Sequence, residues 1–314
     1  MIIWSLTLFI LTIDAYIEIF TGKNILGYGE LYGKRIVSFF KDEPIVGGYI
    51  NSFYLIIVGY LFSLSHKFSS NYKYLILVVS VFFLSAILFT GERSNTIKAI
   101  FGFLVFYFIN NHFQIKQKLI SILLIIILFI SLINTSDFIK LRYNGQFLKL
   151  MIGEFRSKID ETYYTENYKA KNLPVVKLIY VDIYTSGFSV FKSHPFFGVG
   201  NKNYRLVACA KIKNPKYTCN THPHQTYFEF LAEHGFIGTI ILLFILFNLV
   251  FGKLAIILQS KNYIQVGSFI FLLSSFLPFL PSGAFFADYN LTIFWLNLSL
   301  MYAVNKKTNI FLKS

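Results

Sequence analysis

Long apolar runs separated by short polar segments extend along most of the chain. Runs of about 17 to 25 apolar residues are typical of helices that cross a bilayer, because a helix satisfies its own backbone hydrogen bonds across ~30 Å of hydrocarbon. The segment 136–225 is polar, rich in Lys and Tyr, and holds no such run. We therefore predict an all-α polytopic membrane protein with one large extracytoplasmic loop that contains short helices. The eight predicted spans lie near residues 2–20, 45–65, 73–90, 95–111, 118–135, 235–257, 264–282 and 288–305.

The composition indicates that lipid is the solvent of this chain. Of its 314 residues, 55% are hydrophobic and only 14% are charged, against roughly 25% in soluble domains. A net charge of +14 would suggest nucleic acid for a soluble protein, but here the positions of the charges matter more and we expect no nucleic-acid partner. No repeat or linker divides the chain, so we expect one integral membrane domain over residues 1–314.

The short polar segments predict the orientation in the membrane. If the large loop is outside, the short cytoplasmic segments hold nine basic residues and no acidic one, as the positive-inside rule requires. Both termini are then inside. The first span lacks the basic start and the cleavage site of a signal peptide, so we expect it to be retained. The nine basic residues are Lys67, Lys73, Lys116, Lys118, Lys253, Lys261, Lys306, Lys307 and Lys313.

The large loop is itself basic, with 14 basic and six acidic residues. One interpretation is attraction to anionic lipid head groups. The other is an anionic substrate held at the membrane surface. The loop also holds the only two cysteines, Cys209 and Cys219. In an oxidising compartment they are expected to form a disulfide, and two buried free thiols are the alternative.

His222 and His224 lie near the end of the large loop. The turn residues before them (Pro195, Gly198 and Gly200) and the helical spacing of apolar residues after them predict an amphipathic helix that starts within 221–225 and leads into the sixth span. A neutral imidazole with a pKa near 6.5 can accept a proton from a hydroxyl, so either histidine is a candidate general base. Helix capping is one alternative, and a metal site with Glu229 or Glu233 is another.

Three arginines are candidates for binding phosphate. Arg93 lies in the loop FTGERSN at the outer end of a span, against the positive-inside bias, and its planar fork suits a phosphate better than Lys does. Anchoring to head groups is the alternative. Arg35 is a similar case, although Asp42 and Glu43 are possible ion-pair partners, and Arg205 is placed to close the site from the large loop.

Asp14 and Glu18 lie four residues apart on one face near the outer end of the first span. Carboxylates in a membrane helix usually face the interior of the bundle. We expect this pair to orient arginines at the substrate site, and acid or base catalysis is the weaker alternative.

Several blocks, in order, resemble the superfamily of O-antigen ligases and O-antigen polymerases. They are TGKNILGYGELYGKRIVSFFKDEPIVGGYI, TGERSN, HPFFGVGNKNYR with the following Cys, HPHQTYFEFLAEHGFIG and PFLPSGAFF. The resemblance implies a glycan donor on undecaprenyl pyrophosphate, transfer with inversion at the periplasmic face of the bacterial inner membrane, and no metal, nucleotide sugar or other cofactor. Position by position, Arg93 matches the arginine after the short outer loop, and His224 matches the essential histidine.

The chain departs from the family pattern at two points. Many members have an Arg about fifteen residues before the Pro-x-x-Gly-x-Gly turn, where this sequence has Tyr180 with Lys177 nearby. Lys177 and Arg205 are the two candidates to replace it. Members usually have more spans, so the resemblance implies a fragment or a minimal member.

The predicted mechanism follows from these residues and the resemblance. Arginines neutralise the pyrophosphate leaving group, while His224 deprotonates the acceptor hydroxyl. An acceptor on lipid A core makes the enzyme a ligase; a growing glycan makes it a polymerase, and a Ser or Asn makes it a protein oligosaccharyltransferase. A membrane transporter is the competing class, but it would place charges near the bilayer midplane and show internal repeats.

Overall fold

The computed structural model describes residues 1–29, 35–41, 43–64, 71–134, 137–143, 179–211, 214–278 and 280–309. All regular secondary structure in these ranges is helical, so the prediction of an all-α polytopic membrane protein is confirmed. The helices are α1 (Ile2–Thr21), α2 (Val46–Leu64), α3 (Tyr72–Phe89), α4 (Arg93–Ile109), α5 (Ile115–Ile133), α6 (Asp137–Lys140), α7 (Ile179–Ser193), α8 (Tyr204–Ala210), α9 (Thr226–Phe251), α10 (Leu254–Gln259), α11 (Tyr263–Ser275) and α12 (Asp288–Ala303), with a 3₁₀ turn at Ser38–Phe40.

Each of the eight predicted spans contains a helix, but the helices differ in length. Five are long and apolar enough to cross a membrane, namely α1, α2, α3, α5 and the continuous stretch formed by α9 and α10. The other three, α4, α11 and α12, have 17, 13 and 16 residues. At 1.5 Å per residue, 13 residues rise only ~20 Å, which is less than the ~30 Å hydrocarbon core.

The described residues belong to two compact units. The first comprises Met1–Asn144, Leu249–Leu277 and Ile293–Ser314, and the second comprises Gly145–Asn248 and Pro278–Thr292. The first unit contains Arg35 and Arg93, and the second contains both candidate histidines. The single domain that we expected from the sequence stays a prediction.

Helix α11 lies at the centre of the first unit and packs closely against α2. A Cβ atom added to Gly59 of α2 would lie 2.3 Å from the carbonyl oxygen of Tyr263, and one added to Gly267 of α11 would lie 2.5 Å from that of Leu55. Small residues let the two backbones approach, which is a common basis of helix packing in membranes. This central position explains why so short a helix is stable in the interior.

In the second unit, a break at Gly235 divides α9 into two halves. Gly235 has φ 63° and ψ −170°, and the turn that follows α7 fills the break. The amides of Phe236 and Ile237 donate to the carbonyls of Pro195 and Phe196 at 2.7 and 3.2 Å. The predicted helix therefore starts at Thr226, close to where it was expected, but it does not continue unbroken into the span.

Candidate functional site

The turn between α3 and α4 carries Arg93, as the sequence indicated. Gly91 has a φ of 72°, which glycine adopts without steric cost, and its amide donates to Leu88 O at 3.0 Å. Arg93 is the first residue of α4 and is half-buried. The turn thus places a guanidinium at the end of two antiparallel helices.

Glu92, next to Arg93, binds the N-terminus of α2. Its two carboxylate oxygens accept from Gly47 N at 2.8 Å and Gly48 N at 3.1 Å, and one also accepts from Asn95 Nδ2 at 2.6 Å. The first amides of a helix lack intrahelical partners and carry partial positive charge, so a carboxylate stabilises them. Burial raises the pKa of Glu92, while Asn95, the two amides and the charge of Arg35 oppose that rise.

The two glycines at the start of α2 allow this contact, which the sequence analysis missed. A Cβ at position 47 would lie 2.6 Å from Thr90 Oγ1 and 3.0 Å from Glu92 Cδ. At position 48 the nearest atom would be the flexible Asn95 Nδ2, also at 3.0 Å. The GG pair in PIVGGYI was a signal of close backbone approach, but its partner is 45 positions away.

We predict that Gly47→Ala destabilises the protein more than Gly48→Ala does. Overpacking of this kind costs ~1 to 3 kcal/mol, and at position 47 the atoms that must move belong to the turn that carries Arg93. The apparent melting temperature of the detergent-purified variants measures the effect. Equal melting temperatures for the two variants would contradict the close contact.

Arg142 and Tyr143 hold the same turn from another side. Arg142 donates from both Nε and Nη2 to Gly91 O, at 3.1 and 2.9 Å. The buried hydroxyl of Tyr143 donates to Leu88 O at 3.0 Å and lies 2.7 Å from Thr96 Oγ1. Burial raises the pKa of Tyr143, and the nearby charges of Arg142 and Arg93 oppose the rise. From the sequence, Arg142 was only one of the 14 basic residues of the large loop.

Arg35 lies near Glu92, whose pKa its charge lowers. Its Nη2 donates to Pro44 O at 3.3 Å, and its Nε is buried without a hydrogen-bond partner among the described residues. Of its two possible ion-pair partners, Asp42 lies outside the described residues and Glu43 is exposed. A buried guanidinium donor without an acceptor is costly, which suits a site that receives an anionic ligand.

Asp14 and Glu18 are buried, and their carboxylates accept hydrogen bonds from backbone amides. Asp14 accepts from Ile25 N at 2.9 Å and from the Ser38 hydroxyl. Glu18 accepts from the amides of Val37 and Ser38, the latter at 2.6 Å. Among the described residues, these bonds go to the segment after α1 and not to an arginine side chain. Any effect on Arg35 therefore passes through the backbone that carries it.

In the second unit, His222 and His224 form a close pair just before α9. Their ring centroids are 4.0 Å apart, and the backbone of His224 has a φ of 52°. The carbonyl of His224 accepts from Ser282 N at 2.8 Å. Gln225 caps the helix, because its side chain accepts from Phe228 N at 2.9 Å.

Both imidazoles are neutral near pH 7. Burial and, to a lesser extent, the neighbouring His224 lower the pKa of His222 to about 4, against an opposing hydrogen bond with the backbone of Ser282. Burial also lowers the pKa of His224, although a hydrogen bond between its imidazole and the backbone of Ser282 opposes this. His222 Nδ1 lies 2.9 Å from Thr221 Oγ1, and its buried Nε2 has no partner among the described residues. A neutral imidazole is the form that accepts a proton.

The suggested metal ligands Glu229 and Glu233 also accept hydrogen bonds from backbone amides. Glu229 accepts from Phe285 N at 2.8 Å, and Glu233 accepts from Lys202 N at 2.8 Å and Tyr204 N at 3.4 Å. Within the ranges that the structure describes, no three His, Cys, Asp or Glu side chains gather in a group that would hold a metal. Glu233 instead fixes the loop before Arg205, whose side chain is exposed.

The sulfurs of Cys209 and Cys219 are bonded, and their Cα atoms are 4.2 Å apart. The bond joins α8 to the segment that leads to the histidines. The same segment is held by Ser186 Oγ, which accepts from Thr218 N at 3.0 Å and from Tyr204 Oη at 2.7 Å.

Replacing both cysteines by serine should lower the apparent melting temperature. A disulfide that closes so short a loop contributes ~2 to 3 kcal/mol, and its loss should loosen the backbone before His222. Differential scanning fluorimetry measures the melting temperature, and non-reducing gels show whether the disulfide has formed. Lys216→Ser, an exposed change within the same loop, is the control, and a double variant as stable as this control would contradict the prediction.

Lys177 lies outside the described residues, as does the side chain of Tyr180. The choice between Lys177 and Arg205 as the replacement for the usual loop arginine therefore stays a prediction.

The geometry defines a polytopic membrane protein with an arginine-rich turn in one unit and a neutral histidine pair in the other. A family model described as O-antigen ligase matches residues 78–243, which is more than half of the chain and includes both Arg93 and His224. The chain belongs to the O-antigen ligase family and is thus a glycosyltransferase-type enzyme of the ligase or polymerase kind. A comparison with curated proteins gives no match.

Proposed function

We propose that this enzyme transfers a glycan from undecaprenyl pyrophosphate to a sugar hydroxyl of lipid A core at the periplasmic face of the inner membrane. The observation that carries the proposal is the gathering of three arginines, Arg35, Arg93 and Arg142, around the turn at Gly91 and Glu92. The carboxylate of Glu92 is bonded to the amides of α2. These amides help to hold the shape of the turn. Three positively charged guanidinium groups gathered at one turn are suited to binding an anionic diphosphate.

The proposed reaction is a single displacement at the anomeric carbon. The acceptor oxygen forms a bond to C1 of the donor sugar, the bond from C1 to the pyrophosphate oxygen breaks, and the hydroxyl proton passes to His224. Undecaprenyl pyrophosphate leaves with its negative charge opposed by Arg93. No ATP is required, because the pyrophosphate linkage is already activated, and the reaction is metal-independent in this proposal.

The other candidate residues assist this displacement. Arg35 contributes the buried Nε that lacks a protein acceptor, and Arg205 or Lys177 adds charge from the large loop. His222, with its own unpartnered Nε2, is proposed to bind the acceptor. Asp14 and Glu18 act through the segment that carries Arg35.

Reconstitution tests the proposal. The purified protein in nanodiscs is given a lipid-linked oligosaccharide and lipid A core, and mass spectrometry follows the products. Glycan on lipid A core supports the ligase, and a longer glycan on the carrier would instead identify a polymerase. Modified Ser or Asn on an added acceptor protein would identify a protein oligosaccharyltransferase. Unchanged donor with no new glycosidic bond would contradict the proposed transfer.

The orientation makes a separate prediction. A cysteine at exposed Lys216 should react with a membrane-impermeant maleimide in intact spheroplasts, whereas one at exposed Lys116 should react only after permeabilisation. The native cysteines do not interfere because they are bonded to each other. The reverse labelling pattern would contradict the periplasmic site.

A further inference from the structure

Two aromatic side chains project from the turn between α7 and α8. Phe196 and Phe197 are 65% and 76% exposed, although large aromatic side chains usually provide buried area. They follow Pro195 and precede Gly198, whose φ is 68°. So exposed a pair in a tight turn indicates contact with something other than water.

The turn is held rigidly in this conformation by the broken helix α9. Its carbonyls accept from Phe236 and Ile237, and the amides of Val199 and Gly200 donate back to Ala232 O and Glu233 O at 3.0 and 2.8 Å. A Cβ on Gly198 would lie 2.3 Å from the backbone of Glu233. The four hydrogen bonds replace those that the helix loses at its break, so the aromatic tip is fixed relative to α9.

The surface next to the tip continues onto the membrane-crossing half of α9. Immediately past the break, the exposed side chains of α9 are all apolar, namely Phe236, Ile237, Ile240, Ile241 and Phe244. This half belongs to a stretch that is long and apolar enough to cross a bilayer. At the end of α7, Lys192 Nζ lies 4.7 Å from the centroid of the Phe188 ring. Phe side chains with a Lys beside them are typical of segments that lie at the boundary between acyl chains and head groups.

We propose that Phe196 and Phe197 form an aromatic anchor that inserts into the leaflet at the Gly235 end of α9, and that its partner is the phospholipid bilayer itself. The continuity of the tip with the lipid-facing surface of α9 favours lipid over a protein partner. The helix between the anchor and the histidines has nine residues, Thr226–His234, which rise ~13 Å. The anchor thus limits how far from the bilayer boundary His224 lies, a consequence that matters for catalysis only if the proposed function is correct.

Spin labelling of the full-length protein tests the anchor without measuring activity. A nitroxide is attached to Phe197→Cys in nanodiscs of phosphatidylethanolamine and phosphatidylglycerol, and its accessibility to oxygen is compared with that to a water-soluble nickel chelate. Phe244→Cys is the lipid-facing control and Lys216→Cys is the aqueous control. The native disulfide does not take the label.

We expect the ratio of oxygen to nickel accessibility at position 197 to match that at 244 and to exceed that at 216 several-fold. A ratio at 197 equal to that at 216 would overturn the anchor. Exclusion of both reagents, or dipolar broadening between labels, would also overturn it by showing a protein partner or a second copy. Because the measurement requires no turnover, it stands or falls independently of the proposed reaction.

Discussion

Replacing His224 by Ala should abolish glycan transfer by the purified enzyme while leaving its abundance and folding unchanged. General-base catalysis contributes ~10² to 10⁴ in rate, and burial keeps this imidazole in the neutral form that accepts a proton. Because the pKa is lowered, the midpoint of the loss of rate on acidification should lie below the ordinary imidazole pKa near 6.5. Transfer from lipid-linked donor in nanodiscs, measured across a pH range that includes this value, checks both expectations.

His222→Ala is the matched control, since the two rings are in contact but only His224 is predicted, from the resemblance, to match the essential histidine of the family. We expect a milder loss for His222→Ala, mainly in the apparent KM for the acceptor. A His224→Ala protein that transfers glycan at the wild-type rate would show that His224 is not the general base. Equal losses of rate in the two variants would show that the two histidines act together.

Replacing Arg93 by Lys should reduce transfer about tenfold to a hundredfold, which corresponds to the loss of one charge-assisted hydrogen bond of ~1.5 to 3 kcal/mol. Lys keeps the charge but lacks the planar fork that binds two phosphate oxygens. The assay is the same transfer reaction at saturating acceptor, with membrane abundance measured on immunoblots.

Arg93→Gln separates activity from stability. Arg93 is the first residue of α4, where the helix dipole disfavours a cation. The neutral variant should therefore be as stable as the wild type, or slightly more stable, and yet inactive. Full transfer by Arg93→Lys would show that positive charge alone suffices and that bidentate binding of phosphate by the guanidinium is not required. Unfolding of Arg93→Gln would show instead that Arg93 stabilises the fold.

The sequence predicted local features of this fold well. In lipid, only a helix satisfies its backbone without partners, so each of the eight apolar runs coincides with a helix, and the Gly at position 91 placed Arg93 at a turn. The start of α9 was predicted to within one residue of the expected window, at Thr226.

What the sequence did not predict depends on contacts between distant segments. The break at Gly235 exists because Pro195 and Phe196 supply carbonyls from about 40 positions earlier, and no local pattern records that. Likewise, Glu92 resembled one more charge near the membrane edge, whereas its role is set by two glycines on another helix. The partners of buried carboxylates are the least predictable feature, since backbone amides are present everywhere along the chain.

The buried carboxylates have a common consequence for how this enzyme meets its substrate. Each of them accepts a hydrogen bond from at least one backbone amide, and so these loops are held largely through peptide dipoles. The field that would attract the proposed anionic donor depends on ionic strength, whereas these buried, short-ranged hydrogen bonds depend on it much less. The carboxylates are those of Asp14, Glu18, Glu92, Glu229 and Glu233.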